Sequence, residues 1–110
     1  MKVAYILNSP NCQKILTAMI IPQLQESRHG AEVLGMFFMV DNTFFLMEGT
    51  ETGADLQALH EQMGMILMGC DQCCQELGLN GRLIPATKLG CFPTLYAALA
   101  DTGVEQVISL

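Results

Sequence analysis

Apolar residues along this chain fall into two kinds of block. Apolar runs of strand length occur at Lys2 to Leu7, Glu32 to Val40 and Met65 to Gly69, and Val104 to Leu110 is read as the last strand. Runs without internal alternation predict strands buried on both faces, as in a parallel sheet. Between them, apolar residues recur three or four apart, the helical period. From about Cys12 to Ser27, Ile15 pairs with Met19 and Leu16 with Ile20, and Leu24 continues one face, while Pro22 predicts a kink or a split. From Asp55 to Met63, Leu56, Leu59 and Met63 share a face, with His60 as an edge residue beside it. A short helical pattern follows Gly69, with Leu77 on its apolar side and Gly78 as its stop. The last opens at Cys91-Phe92-Pro93-Thr94, with Pro93 in the favoured early position and Leu95, Ala98 and Leu99 facing inward.

Turn residues punctuate these blocks. Asn8-Ser9-Pro10-Asn11 supplies cap candidates for the first helix. His29-Gly30 ends it, with Gly30 at the C′ position and His29 in a last turn that suits the helix dipole. Asn80-Gly81 is a turn, Arg82 to Ala86 a fourth strand placed at an edge or bulge by Pro85, and Thr87 to Gly90 a loop. Asp101-Thr102-Gly103 stops the last helix. Thr43 to Gly53 has two readings: Phe44-Phe45-Leu46-Met47 is either a short helix or lid packed on a neighbouring subunit, or the first turn of a core-facing helix. The order β-α-β-α-β-α-β-α-β predicts one α/β domain over residues 1–110, a three-layer sandwich around a parallel sheet.

Composition sharpens this picture. The chain has 110 residues, 51% of them hydrophobic and only 15% charged, a high apolar load for one small domain. A buried subunit interface is therefore expected. No apolar run approaches the roughly 18 residues of a membrane span. The start, Met1-Lys2 and then a strand pattern, has no signal-peptide h-region, so the expected location is cytoplasmic. The net charge of −6 and the scattering of Lys2, Lys14, Arg28, Arg82 and Lys88 argue against a nucleic-acid partner.

Five cysteines are an odd number, and in a cytoplasmic chain they point to metal or thiol chemistry before disulfide scaffolding. Cys70, Cys73 and Cys74 follow the third strand, Cys12 the first and Cys91 the fourth, so all five are expected at the carboxyl edge of a parallel sheet, each near a helix start. Ligands bind outside such edges. A helix N-terminus favours thiolate over thiol. Three chemistries use such a group: persulfide carriage by exchange between thiols, a dithiol redox switch across Cys70 and Cys73, and ligation of zinc or an iron–sulfur cluster by Cys70 and Cys73 with Cys12 and Cys91. Buried structural cysteines are the plain alternative. No phosphate-binding glycine loop, Gly-x-Ser-x-Gly elbow or His-Glu-x-x-His helix occurs. A thioredoxin-like motif would open the first long helix, whereas this one follows the third strand.

The stretch Gly69-Cys70-Asp71-Gln72-Cys73-Cys74-Gln75-Glu76-Leu77-Gly78-Leu79, with the order of elements over the whole chain, resembles the DsrE/DsrF/DsrH-like family, kin of TusD-type sulfur carriers. The Cys-x-x-Cys, four further residues and Gly-Leu look closest to the SaoD-like DsrE-related subgroup. The resemblance implies a five-stranded parallel sheet of order 4-3-2-1-5, homo-oligomers (trimers or hexamers), and a persulfide-bearing cysteine at the position of Cys70. The chain departs from the carriers in having three thiols where they rely on one, and Leu77 where an Arg usually precedes the helix-terminal Gly. The expected function is a sulfur relay, a carrier and not a turnover enzyme, with Cys70 as acceptor, Cys73 its neighbour, Cys74 pointing elsewhere, and Cys91 and Cys12 as supporting thiols. A sulfur donor or acceptor protein is the expected partner. The alternatives are a zinc or iron–sulfur module, or an oligomeric partner-binding protein working through Phe44 to Met47.

Overall fold

A computed structural model describes all residues, Met1 to Leu110. Five strands, β1 (Lys2–Leu7), β2 (Glu32–Phe38), β3 (Ile66–Cys70), β4 (Lys88–Gly90) and β5 (Gln106–Ser109), form one parallel sheet in the order β4-β3-β2-β1-β5. The expected three-layer architecture and strand order are both present. The apolar runs of β1, β2 and β3 hold the centre, and side chains alternate between two cores because successive residues of a strand point to opposite faces. On one face Val3, Leu7, Met36, Phe38 and Leu67 meet the first helix and α3 (Glu51–Met63) through Leu16, Ile20, Leu56 and Leu59. On the other, Ala4, Phe37, Met68 and Cys70 meet Leu95 and Leu99 of α5 (Phe92–Leu99).

The first helix is continuous but changes its winding. It runs as α1 (Cys12–Lys14), a π-helical segment (Ile15–Ile20) and α2 (Ile21–Gln25). Pro22 sits in the first turn of α2, where its missing N–H is harmless. Just before it, the N–H of Ile21 reaches back five residues to the carbonyl of Leu16. The wide π turn thus absorbs the proline that the pattern marks as a break.

Three expectations are corrected. The fourth strand is not Arg82 to Ala86: β4 is Lys88–Gly90, inside the expected loop. Pro85 has no N–H for a sheet, and the stretch before it pairs with the chain around Leu46 instead. Ile84 N–H donates to Leu46 O at 2.8 Å and Glu48 N–H to Arg82 O at 2.9 Å. The first helix ends at Gln25, with Ser27 at φ 55 leading the chain away, so His29 caps nothing. Its ring bridges the Tyr5 hydroxyl (Nε2, 2.8 Å) and Gln23 Oε1 (Nδ1, 2.8 Å). Leu77 does not face the core but stands exposed after α4 (Asp71–Glu76). Leu79 is buried in its place, because Gly78 at φ +69 turns the chain and Leu79 N–H bonds back to Cys74 O at 2.8 Å.

The segment Thr43 to Gly53 begins inside a 3₁₀ helix, Val40–Leu46. Leu46 is fully buried in the larger core, whereas Phe44 is 43% exposed. Leu46 thus belongs to the core of the single chain, as the core-facing reading expects. No helix is long and apolar enough to cross a membrane.

Candidate functional site

The site starts where β3 meets α4. Cys70 is both the last residue of β3 and the N-cap of α4, and its Sγ accepts the N–H of Cys73 at 3.3 Å. A cysteine sulfur thereby takes the capping role usually filled by Ser or Asp. Gly69 lets the strand end there: a Cβ on it would lie 3.1 Å from Leu46 Cδ1 and 3.3 Å from Cys74 Sγ.

The three clustered thiols differ in surroundings. Cys70 is 5% exposed, beneath α5 in the smaller core. Burial pushes its thiol above the ordinary value. The neighbouring Cys73 side chain pushes the same way, and the backbone N–H groups of Cys73 and Gln72 offset only part of this. The thiolate-favouring helix end is thus outweighed by desolvation at this residue. Cys73, one turn on, is half-buried, and its Sγ accepts the backbone N–H of Val40 at 3.3 Å. Cys74 is turned inward and fully buried. Its thiol is pushed up to about 11, first by burial and then by repulsion from Cys70, Cys73 and Asp71, with the Thr43 hydroxyl pulling the other way.

The sequence gives no sign of Val40. This β-branched residue has φ 47, in the left-handed region that such side chains rarely enter. Its peptide is held at both ends: the N–H points at Cys73 Sγ, and the carbonyl accepts the buried Thr43 hydroxyl at 2.7 Å. Strain of this kind persists only where the surroundings over-determine it. Beyond Val40 lies a cavity of about 540 Å³ lined by Asn8, Ser9, Gln13, Asp41, Asn42 and Phe44 among others.

The five thiols do not converge. Cys12 follows β1, as expected, but is fully buried in the larger core on the opposite sheet face, with Ser9 Oγ 3.7 Å from its sulfur. Cys91 follows β4, half-buried at the head of α5, where its N–H bonds to Thr94 Oγ1 at 3.3 Å. No three His, Cys, Asp or Glu side chains come together at a spacing that would hold a metal ion. What the fold brings together is one pair, Cys70 and Cys73, with Val40 beside it.

No family model matches the chain, and no curated protein does. Solved structures do match. The YchN protein of E. coli superposes with a TM-score of 0.67 at 18% identity, over 99% of this chain and 97% of its own. A protein of unknown function from Methanobacterium thermoautotrophicum gives 0.68 at 11% identity, covering 97% of both chains. A conserved protein of unknown function from Bacteroides thetaiotaomicron gives 0.63 at 11% identity, over 99% of this chain and 94% of its own. At these identities the likeness is one of fold, the five-stranded parallel sheet of order β4-β3-β2-β1-β5.

Proposed function

We propose that this protein carries sulfane sulfur on the Cys70–Cys73 pair, as a relay between a donor and an acceptor protein and not as a turnover enzyme. The observation that carries the reading is the pair itself. One sulfur caps the helix at the carboxyl end of a central strand, and the other, half-exposed a turn later, accepts an amide N–H from a strained residue. Persulfide exchange needs a reachable sulfur, a nearby group that stabilises charge on it, and a second thiol in range. The DsrE-like fold supports the same reading by kinship. Five unpaired cysteines suit a reducing compartment, consistent with the cytoplasm. The reading is preferred to a zinc or cluster site because Cys12 and Cys91 would have to join the pair, and no three such side chains gather in the chain.

The test is the intact mass of anaerobically purified protein before and after incubation with inorganic polysulfide. Sulfur uptake that survives denaturation, reverses with reductant and is abolished in the Cys70→Ser, Cys73→Ser double variant supports the carrier. Equal uptake by the double variant refutes it.

We propose further that the chain works as a homo-oligomer, a trimer or hexamer. Phe44, Leu77 and Leu89 are exposed apolar residues of a chain this small, on elements that flank the thiol pair. Phe44→Ser with Leu89→Ser should shift the size-exclusion profile to a smaller species, while an unchanged profile removes these residues from the interface.

A further inference from the structure

Cys70 and Cys73 are not equivalent, and the difference assigns each a role. Cys73 is the half-exposed member, with the Val40 N–H aimed at its sulfur, whereas Cys70 is 5% exposed, closed off by Phe37, Met68 and Leu95. Whatever arrives from solvent meets Cys73 first. Cys70 lies behind it, its sulfur accepting the Cys73 backbone N–H at 3.3 Å. From this juxtaposition we infer that Cys73 receives the sulfur and Cys70 expels it: the buried thiol resolves the Cys73 persulfide to a Cys70–Cys73 disulfide and releases sulfide. The inference rests on the carrier reading and reverses the order of the two thiols that the family resemblance implies.

The steps balance. The Cys73 thiolate attacks the terminal sulfane sulfur of a persulfide or polysulfide; a bond to Cys73 Sγ forms, the donor's S–S bond breaks, and the shortened donor leaves with the electron pair. Cys70, having lost its proton to solvent, then attacks Cys73 Sγ. The disulfide forms, the bond from Cys73 Sγ to the carried sulfur breaks, and that sulfur departs as hydrosulfide with the electron pair. The sulfane sulfur is reduced to sulfide, and the two cysteine sulfurs are oxidised to the disulfide. No other oxidant is needed. A small thiol or dithiol resets the pair by ordinary exchange. The Cys-x-x-Cys spacing across the first turn of α4 places both sulfurs on one end of the helix. Transfer to an acceptor protein has to compete with this internal release, so the carried sulfur has a limited lifetime.

The test uses the full chain, reduced, freed of reductant, loaded anaerobically with one equivalent of inorganic polysulfide and desalted at once, so that sulfide left by the donor is removed before release is followed. Sulfide release is followed by its bimane adduct, and the protein by intact mass and peptide mapping. Wild type is expected to release sulfide and end with a Cys70–Cys73 disulfide. Cys70→Ser is expected to take up sulfur on Cys73 and keep it, with sulfide release slowed tenfold or more. Cys73→Ser is expected to load at least tenfold more slowly. Because Cys70 is buried, Cys70→Ala stands beside Cys70→Ser, and thermal melts confirm folding. Sulfide release by Cys70→Ala at the wild-type rate overturns the inference, as does unimpaired loading of Cys73→Ser or a lasting persulfide without disulfide in wild type. In each of those cases the protein still carries sulfur, and the carrier reading stands. Wild type that neither takes up sulfur nor forms the Cys70–Cys73 disulfide overturns both.

Discussion

Val40 allows a direct measurement of strain at the thiol site. Its side chain is 49% exposed, and that of Val107, in β5, is 46% exposed, so the two lose similar burial on truncation. Replacing a half-exposed Val by Gly forfeits roughly 0.8 kcal/mol of burial, taken as half the value for a fully buried Val. It also adds about 0.5–1 kcal/mol of backbone entropy lost on folding. Val107→Gly should therefore destabilise by about 1.5 kcal/mol, a fall in Tm on the order of 6–10 °C for a domain of this size. Val40→Gly forfeits the same amounts but escapes the left-handed penalty, about 1–2 kcal/mol per residue and toward the upper end for a β-branched side chain. The terms nearly cancel, so Val40→Gly should lie within about 0.5 kcal/mol of wild type. The assay is urea denaturation of both variants at one protein concentration, under reductant. Glycine keeps the N–H on Cys73, so the comparison isolates strain from hydrogen bonding. If Val40→Gly loses as much stability as Val107→Gly, Val40 is not strained, and the account of how its amide is held against Cys73 fails.

Three other perturbations have defined signs. Gly69→Ala should destabilise by about 1–3 kcal/mol in urea, because the new methyl would press on Leu46 and Cys74, both fully buried and without room to yield; a neutral result would mean that the end of β3 is loosely packed. Cys74 binds its proton more tightly folded, at about 11 against an ordinary 9.0, so the stability it contributes is whole below pH 9 and lost as pH rises toward 11. Thermal melts across that range should fall more steeply for wild type than for Cys74→Ala, and parallel slopes would refute the assignment. His29 goes the other way: burial lowers it from 6.5, so the unfolded chain takes up protons first and stability falls as pH drops below about 6.5. His29→Gln should flatten the melting profile between pH 7 and 5, and an unaltered slope would show that the Tyr5–His29–Gln23 chain carries none of it.

What the sequence discloses here follows from how each element is stabilised. β1, β2 and β3 are legible because a strand buried on both faces must be apolar throughout, and Met36-Phe37-Phe38 leaves no other reading. β4 is illegible for the converse reason. It is a three-residue edge strand whose Leu89 is exposed, so nothing in its composition separates it from a loop. The Arg82 to Ala86 stretch misleads because it is apolar for packing, through Leu83 and Ile84, and not for sheet pairing. The order of the strands comes from the family resemblance and not from periodicity. Within the site, Cys70 and Cys73 are legible as neighbours because three residues make one helical turn. The gathering of all five thiols fails because the carboxyl edge has two sides. Cys12 enters its helix facing the larger core, and Cys70 ends its strand facing the smaller one. Strand ends can be read from the sequence, but the face each side chain takes depends on register. Val40 has no sequence signal, since its left-handed backbone is imposed by Thr43 and Cys73 from distant or irregular segments.

The burial that hides Cys70 also sets when it can act. A thiol must lose its proton to attack, and desolvation under α5 makes that loss harder at Cys70 than at an ordinary cysteine. The neighbours able to counter this are few. The Cys73 and Gln72 N–H groups favour the charged form, the Cys73 sulfur opposes it, and no cationic side chain contributes. If Cys70 is the expelling thiol, internal release is slow near neutrality, and a docked acceptor has time to take the sulfur from Cys73. Raising the pH deprotonates a growing fraction of Cys70 and shifts the balance toward sulfide. With the protein persulfidated at pH 7 and jumped to a series of higher values, the rate of sulfide release should keep climbing past the ordinary thiol value of 9.0, because the folded value lies above it. A rate that levels off well below pH 9 would mean that the attacking sulfur is not the buried one. The division of labour would then have to be redrawn around a thiol in contact with water.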